Sequence, residues 1–126
     1  MPSRHNPADC LADIIENAER IERYLADMDR AAFASNGLMR DAVERCIERV
    51  CEAAHRLGKH ATELMPSQPW GDIRGMGNRL RHAYDRISLD VIWNAVCNDL
   101  PGLTIDARRV LAELQAGQDD ASKTSV

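Results

Sequence analysis

The chain has 126 residues, of which 44% are apolar and 29% charged, with seven Gly and five Pro. These values predict one packed domain and exclude a fibrous or a wholly disordered chain. The formal net charge of −4 argues against a surface coated with basic side chains for nucleic acid.

No apolar run approaches the roughly 18–20 residues that span a bilayer, and the start of the chain lacks the charged-then-apolar layout of a secretory signal. We therefore expect a cytoplasmic protein with no membrane partner. The cysteines fit that compartment because they include no C-x-x-C pair, and we expect them to be small buried hydrophobes. They are Cys10, Cys46, Cys51 and Cys97.

Two helices are predicted in the first half of the chain, where apolar residues recur at helical spacing. The first runs from about Asp9, its expected N-cap, to about Met28. Residues 29–35 then form a connection anchored by Phe33. The second and longer helix starts near Asn36, and Gly58 weakens or bends its far end.

The second half of the chain predicts three further helices. Pro66 and Pro69 mark a loop, after which the third helix begins at residues 70–72 with Asp72 as its cap and reaches about residue 86. Ser88 caps the fourth helix, which Pro101 interrupts. A short fifth helix covers residues 103–114 and ends near Gly117.

The predicted fold class is all-α. Connections of roughly two to ten residues between the four principal helices favour an up-and-down four-helix bundle with the short fifth helix laid across one end. The bundle takes residues 1–116, and residues 117–126 are expected to be a disordered polar tail.

The third helix carries a local reversal of charge. Residues 70–88 contain four Arg and two Asp, a net charge of +2, whereas the rest of the chain sums to −6. A cationic site is therefore predicted on an acidic protein.

The third helix also has two chemically different sides when each residue is turned 100° from the last. One side, expected to face the core, carries Ile73, Met76, Leu80, Ala83 and Ile87. The other side carries Arg74, Asn78 and His82, joined by Arg81 and Asp85. This polar side has two interpretations, a solvated surface or an acid–base histidine beside a phosphate clamp. Helical spacing alone leaves both open.

A family resemblance favours the second interpretation. Residues 70–103 read WGDIRGMGNRLRHAYDRISLDVIWNAVCNDLPGL. This stretch resembles the HepT-like branch of the HEPN ribonucleases, whose third helix reads W-x-x-I-x-G-M-R-N-x-L-x-H-x-Y before a helix that ends in D-L-P. On the second helix, residues 42–45 and 51–54 stand where the family carries A-V-x-R and G-E-A-A. The resemblance covers about residues 11–114.

The resemblance implies a symmetric dimer with an endoribonuclease cleft at its two-fold axis, and with no metal and no cofactor. The family histidine falls on His82 and the family asparagine on Asn78. The substrate is expected to be RNA and not DNA, because the 2′-hydroxyl is the attacking group. The implied activity is that of a toxin in a toxin–antitoxin pair.

The family arginine, which binds the scissile phosphate, falls on Gly77. Glycine cannot imitate a guanidinium. Arg74, Arg79 and Arg81 are the candidates to replace it. The alternative function is a nuclease-inactive dimer that only binds, either RNA or a nucleotidyltransferase partner.

Tyr84 matches the tyrosine that ends the family motif. The resemblance implies that a cognate minimal nucleotidyltransferase, the antitoxin, transfers AMP to this residue. The negative adduct would then repel RNA phosphates. A half-buried core tyrosine remains the alternative.

Two further features of the sequence carry weaker signals. Glu52 and His55 form an E-x-x-H pair, but a carboxylate-bridged di-iron site needs a second pair that the sequence lacks. Trp70 is expected to be a packing anchor, with stacking on a base as the alternative.

Overall fold

The computed structural model describes the backbone of residues 6–82 and 87–124, and the side chains of residues 6–82 and 87–118. Within these ranges all regular structure is helical, which confirms the all-α class. The helices are α1 (Pro7–Leu25), α2 (Arg30–Ala34), α3 (Gly37–Leu57), α4 (Lys59–Leu64), α5 (Trp70–His82), α6 (Leu89–Asn94) and α7 (Leu100–Thr124), with a π-helical segment (Ala95–Asp99) between α6 and α7.

Helix α1 begins two residues earlier than Asp9, the expected cap. Asn6 is the N-cap, and its side-chain oxygen accepts a hydrogen bond from the Ala8 N–H at 2.9 Å. Pro7 suits the first helical position because its missing N–H would have no intrahelical partner there. Asp9 instead lies in the first turn, where a negative charge favours the helix dipole. The helix also ends earlier than predicted, at Leu25.

The expected connection at residues 29–35 contains the short helix α2. The Asp29 side chain caps it by accepting from the Ala32 N–H at 2.8 Å. The Phe33 anchor is confirmed, because its side chain is fully buried and its ring centroid lies 5.4 Å from that of Trp93.

Helix α3 confirms the prediction for the second helix. The Asn36 side chain accepts from the Met39 N–H at 3.0 Å, and the helix continues to Leu57. Gly58 ends it, because its φ of 56° belongs to the left-handed region that favours glycine. The short helix α4 follows directly.

The predicted interruption at Pro101 is wrong, because helical backbone continues from α6 through the π-helical segment into α7. A proline ring clashes with the carbonyl group four residues back in an α-helix. For Pro101 that residue is Cys97, which lies in the wider turn of the π-helical segment. The predicted helix end near Gly117 is also wrong, since α7 runs to Thr124, and residues 117–124 of the expected tail are helical.

Three of the four cysteines are buried as expected, but Cys97 is exposed. It lies in the π-helical segment, which contains no buried residue. The prediction for Cys97 is therefore wrong, because the sequence pattern does not reveal how the π turn shifts the faces of the helix.

The core consists of two clusters, and α5 borders both. One includes Leu11, Met65, Trp70 and Val110, and the other includes Ile21, Phe33, Val43 and Ile92.

Two arginines, one on α2 and one on α3, bind the segment that follows α5. Arg40 donates to the Ile87 carbonyl oxygen and Arg30 pairs with the Asp90 carboxylate. Across the residues described, no helix has the length and apolar character needed to cross a membrane.

The burial of Phe33 predicts a large effect on stability. Phe33→Ala should lower the free energy of unfolding by about 3–5 kcal/mol, because it removes a buried ring and leaves a cavity. Leu38→Ala is the control, since Leu38 is 84% exposed and its truncation should change stability by less than about 0.5 kcal/mol. Urea unfolding followed by circular dichroism measures both. Equal losses would contradict the assignment of Phe33 to the core.

Candidate functional site

Helix α5 carries the five residues that the sequence predicted as a site. It starts at Trp70, directly after Pro69. Asp72 was expected as its cap but lies inside the first turn, because the chain is already helical at Trp70, and the Ile73 N–H donates to the Pro69 carbonyl at 3.0 Å. The negative charge of Asp72 still favours the N-terminal end of the helix.

Trp70 anchors α5 to the core. Its side chain is 6% exposed, and the indole Nε1 donates to the Met65 carbonyl oxygen at 2.9 Å. A ring held this way offers no face to a nucleobase. The packing interpretation is therefore confirmed, and stacking on a base is not supported.

The inner side of α5 follows the predicted pattern. Ile73, Met76 and Leu80 are half-buried and pack against the core clusters. Ile87 is buried at 4% exposure, whereas Ala83 lies outside the described residues.

Gly77 is buried where α5 meets α3. A Cβ atom added at this position would lie 2.8 Å from the Cβ of Cys51. Real Cβ atoms essentially never approach so closely, and the Cys51 Cβ is fixed to the backbone of α3. The two helices therefore need glycine here, and an arginine does not fit while Cys51 stands opposite.

The outer side of α5 is open to solvent. Arg74, Asn78, Arg79, Arg81 and His82 are all exposed. Arg74, Asn78 and His82 follow one another at intervals of four residues and so lie along one stripe. Tyr84 and Asp85 fall outside the described residues.

Among the contacts of the described residues, Arg81 is the one cationic residue of this set that is held by another helix. Its Nη1 lies 3.3 Å from the Glu52 Oε2 on α3. The same Nη1 lies 3.9 Å from the position that a Cβ of residue 77 would occupy. The guanidinium thus lies over Gly77 and reaches across to α3. In the described ranges, no ion pair includes Arg74 or Arg79.

Glu52 is the site residue that sequence reasoning missed. In the sequence its chemistry is considered only as one half of an E-x-x-H pair with His55, and that pair is discounted as a metal site. In the structure its carboxylate faces Arg81, and no group of three His, Cys, Asp or Glu side chains among the described residues could hold a metal ion. No pattern within α3 or α5 alone could have found it, because the role of Glu52 depends on Cys51, its neighbour, lying opposite Gly77.

The Cys51 thiol is not a nucleophile in this site. Burial raises its pKa to about 11, and the positive charge of Arg81 opposes this shift only in part. A thiol with that pKa is neutral at physiological pH, and nucleophilic cysteines act as thiolates. Cys51 therefore contributes to the site by its packing against Gly77 and not by its reactivity.

A polar groove between α1 and α3 meets the α5 site at Glu52. Three carboxylates and three guanidinium groups line it, together with Asn17. Two of these arginines pair across or along the groove, Arg56 with Asp13 at 2.9 Å and Arg20 with Glu16 at 3.0 Å. The charges balance, so the groove adds no net positive charge to the α5 site.

Comparison with known proteins finds a family model and relatives that are all named as ribonucleases. A family model described as Ribonuclease HepT-like matches residues 14–110. A Methanocaldococcus jannaschii protein named as a putative RNase is 33% identical over 91 residues, which are 72% of this chain and 84% of the relative. A protein named as a probable ribonuclease HepT from Thermococcus cleftensis is 32% identical over 95 residues, 75% of this chain and 86% of that protein. No solved structure matches the chain significantly.

The contact between Gly77 and Cys51 predicts different outcomes for two glycines of α5. Gly75 has no atom within 4 Å of an added Cβ, so Gly75→Ala should stabilise the protein by about 1 kcal/mol through helix propensity. Gly77→Ala gains the same propensity but meets Cys51. It should therefore unfold more easily than Gly75→Ala by about 1–3 kcal/mol. Urea unfolding of both variants measures the difference, and equal stabilities would show that α3 and α5 do not touch at Gly77.

Proposed function

The chain belongs to the HepT-like ribonuclease family, and from this membership we propose that it is a metal-independent endoribonuclease. We propose further that it is the toxin of a bacterial toxin–antitoxin pair and acts as a symmetric homodimer. The names of the relatives support the reaction class. In this chain the proposal rests on one observation, namely that the side chains of Asn78, Arg81 and His82 on α5 are all exposed.

RNA contains its own nucleophile. The 2′-hydroxyl attacks the adjacent phosphorus, so that a bond from O2′ to phosphorus forms while the bond from phosphorus to O5′ breaks. The products are a 2′,3′-cyclic phosphate and a 5′-hydroxyl. The protein has to move protons and stabilise the charge of the phosphate, and an unmodified DNA strand lacks the attacking group.

His82 is the proposed acid–base group. Histidine is the side chain that most often transfers protons in enzymes. It takes the proton of the 2′-hydroxyl or supplies one to the leaving 5′-oxygen. The Asn78 carboxamide, one turn earlier on the same stripe, orients the substrate. The phosphate is held by a guanidinium from Arg74, Arg79 or Arg81, which stays charged at any working pH.

A second copy of the chain would complete the site. The polar stripe of one helix is convex, and a substrate cleft needs a facing wall. Two copies related by a two-fold axis would place two such stripes opposite each other. The cleft would then hold two histidines and at least two guanidinium groups.

The alternative function is a nuclease-inactive dimer that binds RNA or the nucleotidyltransferase. The observation that favours it is the close contact of Gly77 with Cys51, because it excludes a phosphate-binding arginine at the position where the family carries one. Loss of one such positioned charge commonly lowers the rate by about 10²-fold or more.

His82→Ala should abolish RNA cleavage, because it removes the proposed proton carrier and leaves the core untouched. The assay follows a fluorescent RNA oligonucleotide in EDTA, where the wild-type protein should cleave it. His55→Ala is the matched control, since His55 is an exposed histidine on α3, and it should retain the wild-type rate. Full activity of His82→Ala would remove His82 from the mechanism. Wild-type protein that binds RNA without cutting it would favour the alternative.

Tyr84 is the proposed AMP acceptor for a minimal nucleotidyltransferase antitoxin. Incubation with that partner and ATP should add one or more AMP groups to the peptide that contains Tyr84, as measured by mass spectrometry. The modified protein should cleave RNA more slowly, because the added phosphate repels the substrate. Tyr24→Phe is the control, since Tyr24 is the other tyrosine of the chain. An unmodified Tyr84 with AMP on another residue would refute the assignment.

A further inference from the structure

We propose that Arg81 is the phosphate-binding cation of this chain and that Glu52 is the positioning residue that holds it in place. The inference rests on the proposed ribonuclease function and deepens it, because it chooses one of the three arginines and adds a residue from a second helix. It is carried by the contacts of Arg81 with Gly77 and Glu52.

The guanidinium of Arg81 occupies the space above Gly77. Helices α3 and α5 approach so closely at this residue that no Cβ fits against Cys51. Arg81 follows Gly77 by one helical turn, and its Nη1 lies 3.9 Å from the missing Cβ. A Cβ there would be in ordinary van der Waals contact with the guanidinium, so a side chain longer than that of alanine would compete for this place. Because residue 77 is a glycine, the long side chain of Arg81 can lie over it.

Arg81 also has a partner on α3. Glu52 directly follows Cys51, so the pair of Arg81 with Glu52 lies beside the closest point between the two helices. The contact uses Nη1 at 3.3 Å from Oε2. A guanidinium has five N–H donors, and donors that do not face Glu52 remain for phosphate oxygens. His82 is the next residue in the chain, and Asn78 lies three residues earlier on the same face.

The ion pair of Arg81 with Glu52 is poorly suited to stabilise the fold. The two side chains are 36% and 51% exposed, and exposed pairs contribute little to stability. An unpaired arginine, however, samples many rotamers, and fixing one of them costs binding free energy when a ligand arrives. Glu52 removes part of that cost in advance, since it holds the side chain before the substrate arrives.

The negative charge of Glu52 allows a positioning role to be distinguished from a general electrostatic effect on RNA binding. A carboxylate near an RNA site repels phosphates, so its removal should by charge alone strengthen RNA binding. A positioning role predicts the opposite sign, because the guanidinium loses its place. Glutamine keeps a side-chain oxygen that accepts from Arg81, so it should preserve most of the function that alanine loses.

The test compares Glu52→Ala, Glu52→Gln, Arg81→Ala and the double variant with Ala at both positions. We expect Arg81→Ala to lower kcat/KM for RNA cleavage by about 10²-fold and Glu52→Ala by about tenfold. Glu52→Gln should stay within about threefold of wild type, and the double variant should match Arg81→Ala. The thermal midpoints should stay within a few degrees of each other.

The matched control is Glu48→Ala. Glu48 lies one turn before Glu52 on α3 and pairs with Arg45 at 3.1 Å on the same helix. Its removal should leave kcat/KM unchanged or raise it, because only the general field changes. An unchanged or higher kcat/KM for Glu52→Ala would overturn the positioning role. A loss for Glu52→Ala that persists in the Arg81→Ala background would overturn it as well.

A binding measurement separates this inference from the proposed function. Fluorescence anisotropy with a non-cleavable 2′-deoxy oligonucleotide reports the phosphate contacts without any cleavage. Arg81→Ala and Glu52→Ala should both weaken binding, and Glu48→Ala should not. If the wild-type protein cuts no RNA but shows this pattern, the proposed function fails and the inference holds for a binding site. If binding is the same in all four proteins, the inference fails, whether or not RNA is cut.

Discussion

The approach of α3 to α5 at Cys51 and Gly77 is the constraint on which the candidate site depends. No Cβ fits at Gly77, so the two helices come together at a glycine and Arg81 passes over it to reach Glu52. A larger residue at position 77 would separate the helices and displace the guanidinium. The same contact therefore sets the packing of α5 on α3 and the placement of Arg81, the residue that precedes His82 in the chain.

The contact also bears on the departure from the family motif. The resemblance places the family arginine at Gly77, which is buried here, and a guanidinium at this position is incompatible with the close packing against Cys51. The site keeps its imidazole and carboxamide on the exposed stripe of α5. In the proposed mechanism the charge is supplied from one turn further along the same helix, with support from α3.

The sequence predicts features that depend on one helix alone. Helical spacing predicted α1, α3 and the two sides of α5, because burial follows the 3.6-residue period. It did not predict α2 or the early start of α1 after the Asn6 cap, where local capping bonds decide the boundary. It also placed a break at Pro101 that the π-helical segment avoids. The contacts of Gly77 and Glu52 depend on how α3 meets α5, which no single-helix projection contains.

Nitrogen-15 NMR of the arginine Nε–H groups, during titration with a non-cleavable 2′-deoxy oligonucleotide, tests the central claim most directly. Each guanidinium gives its own signal, so the measurement shows which arginine meets phosphate. The account predicts that the Arg81 signal shifts most, because its guanidinium is already held beside His82. A large shift at Arg74 or Arg79 with an unchanged Arg81 would contradict the account.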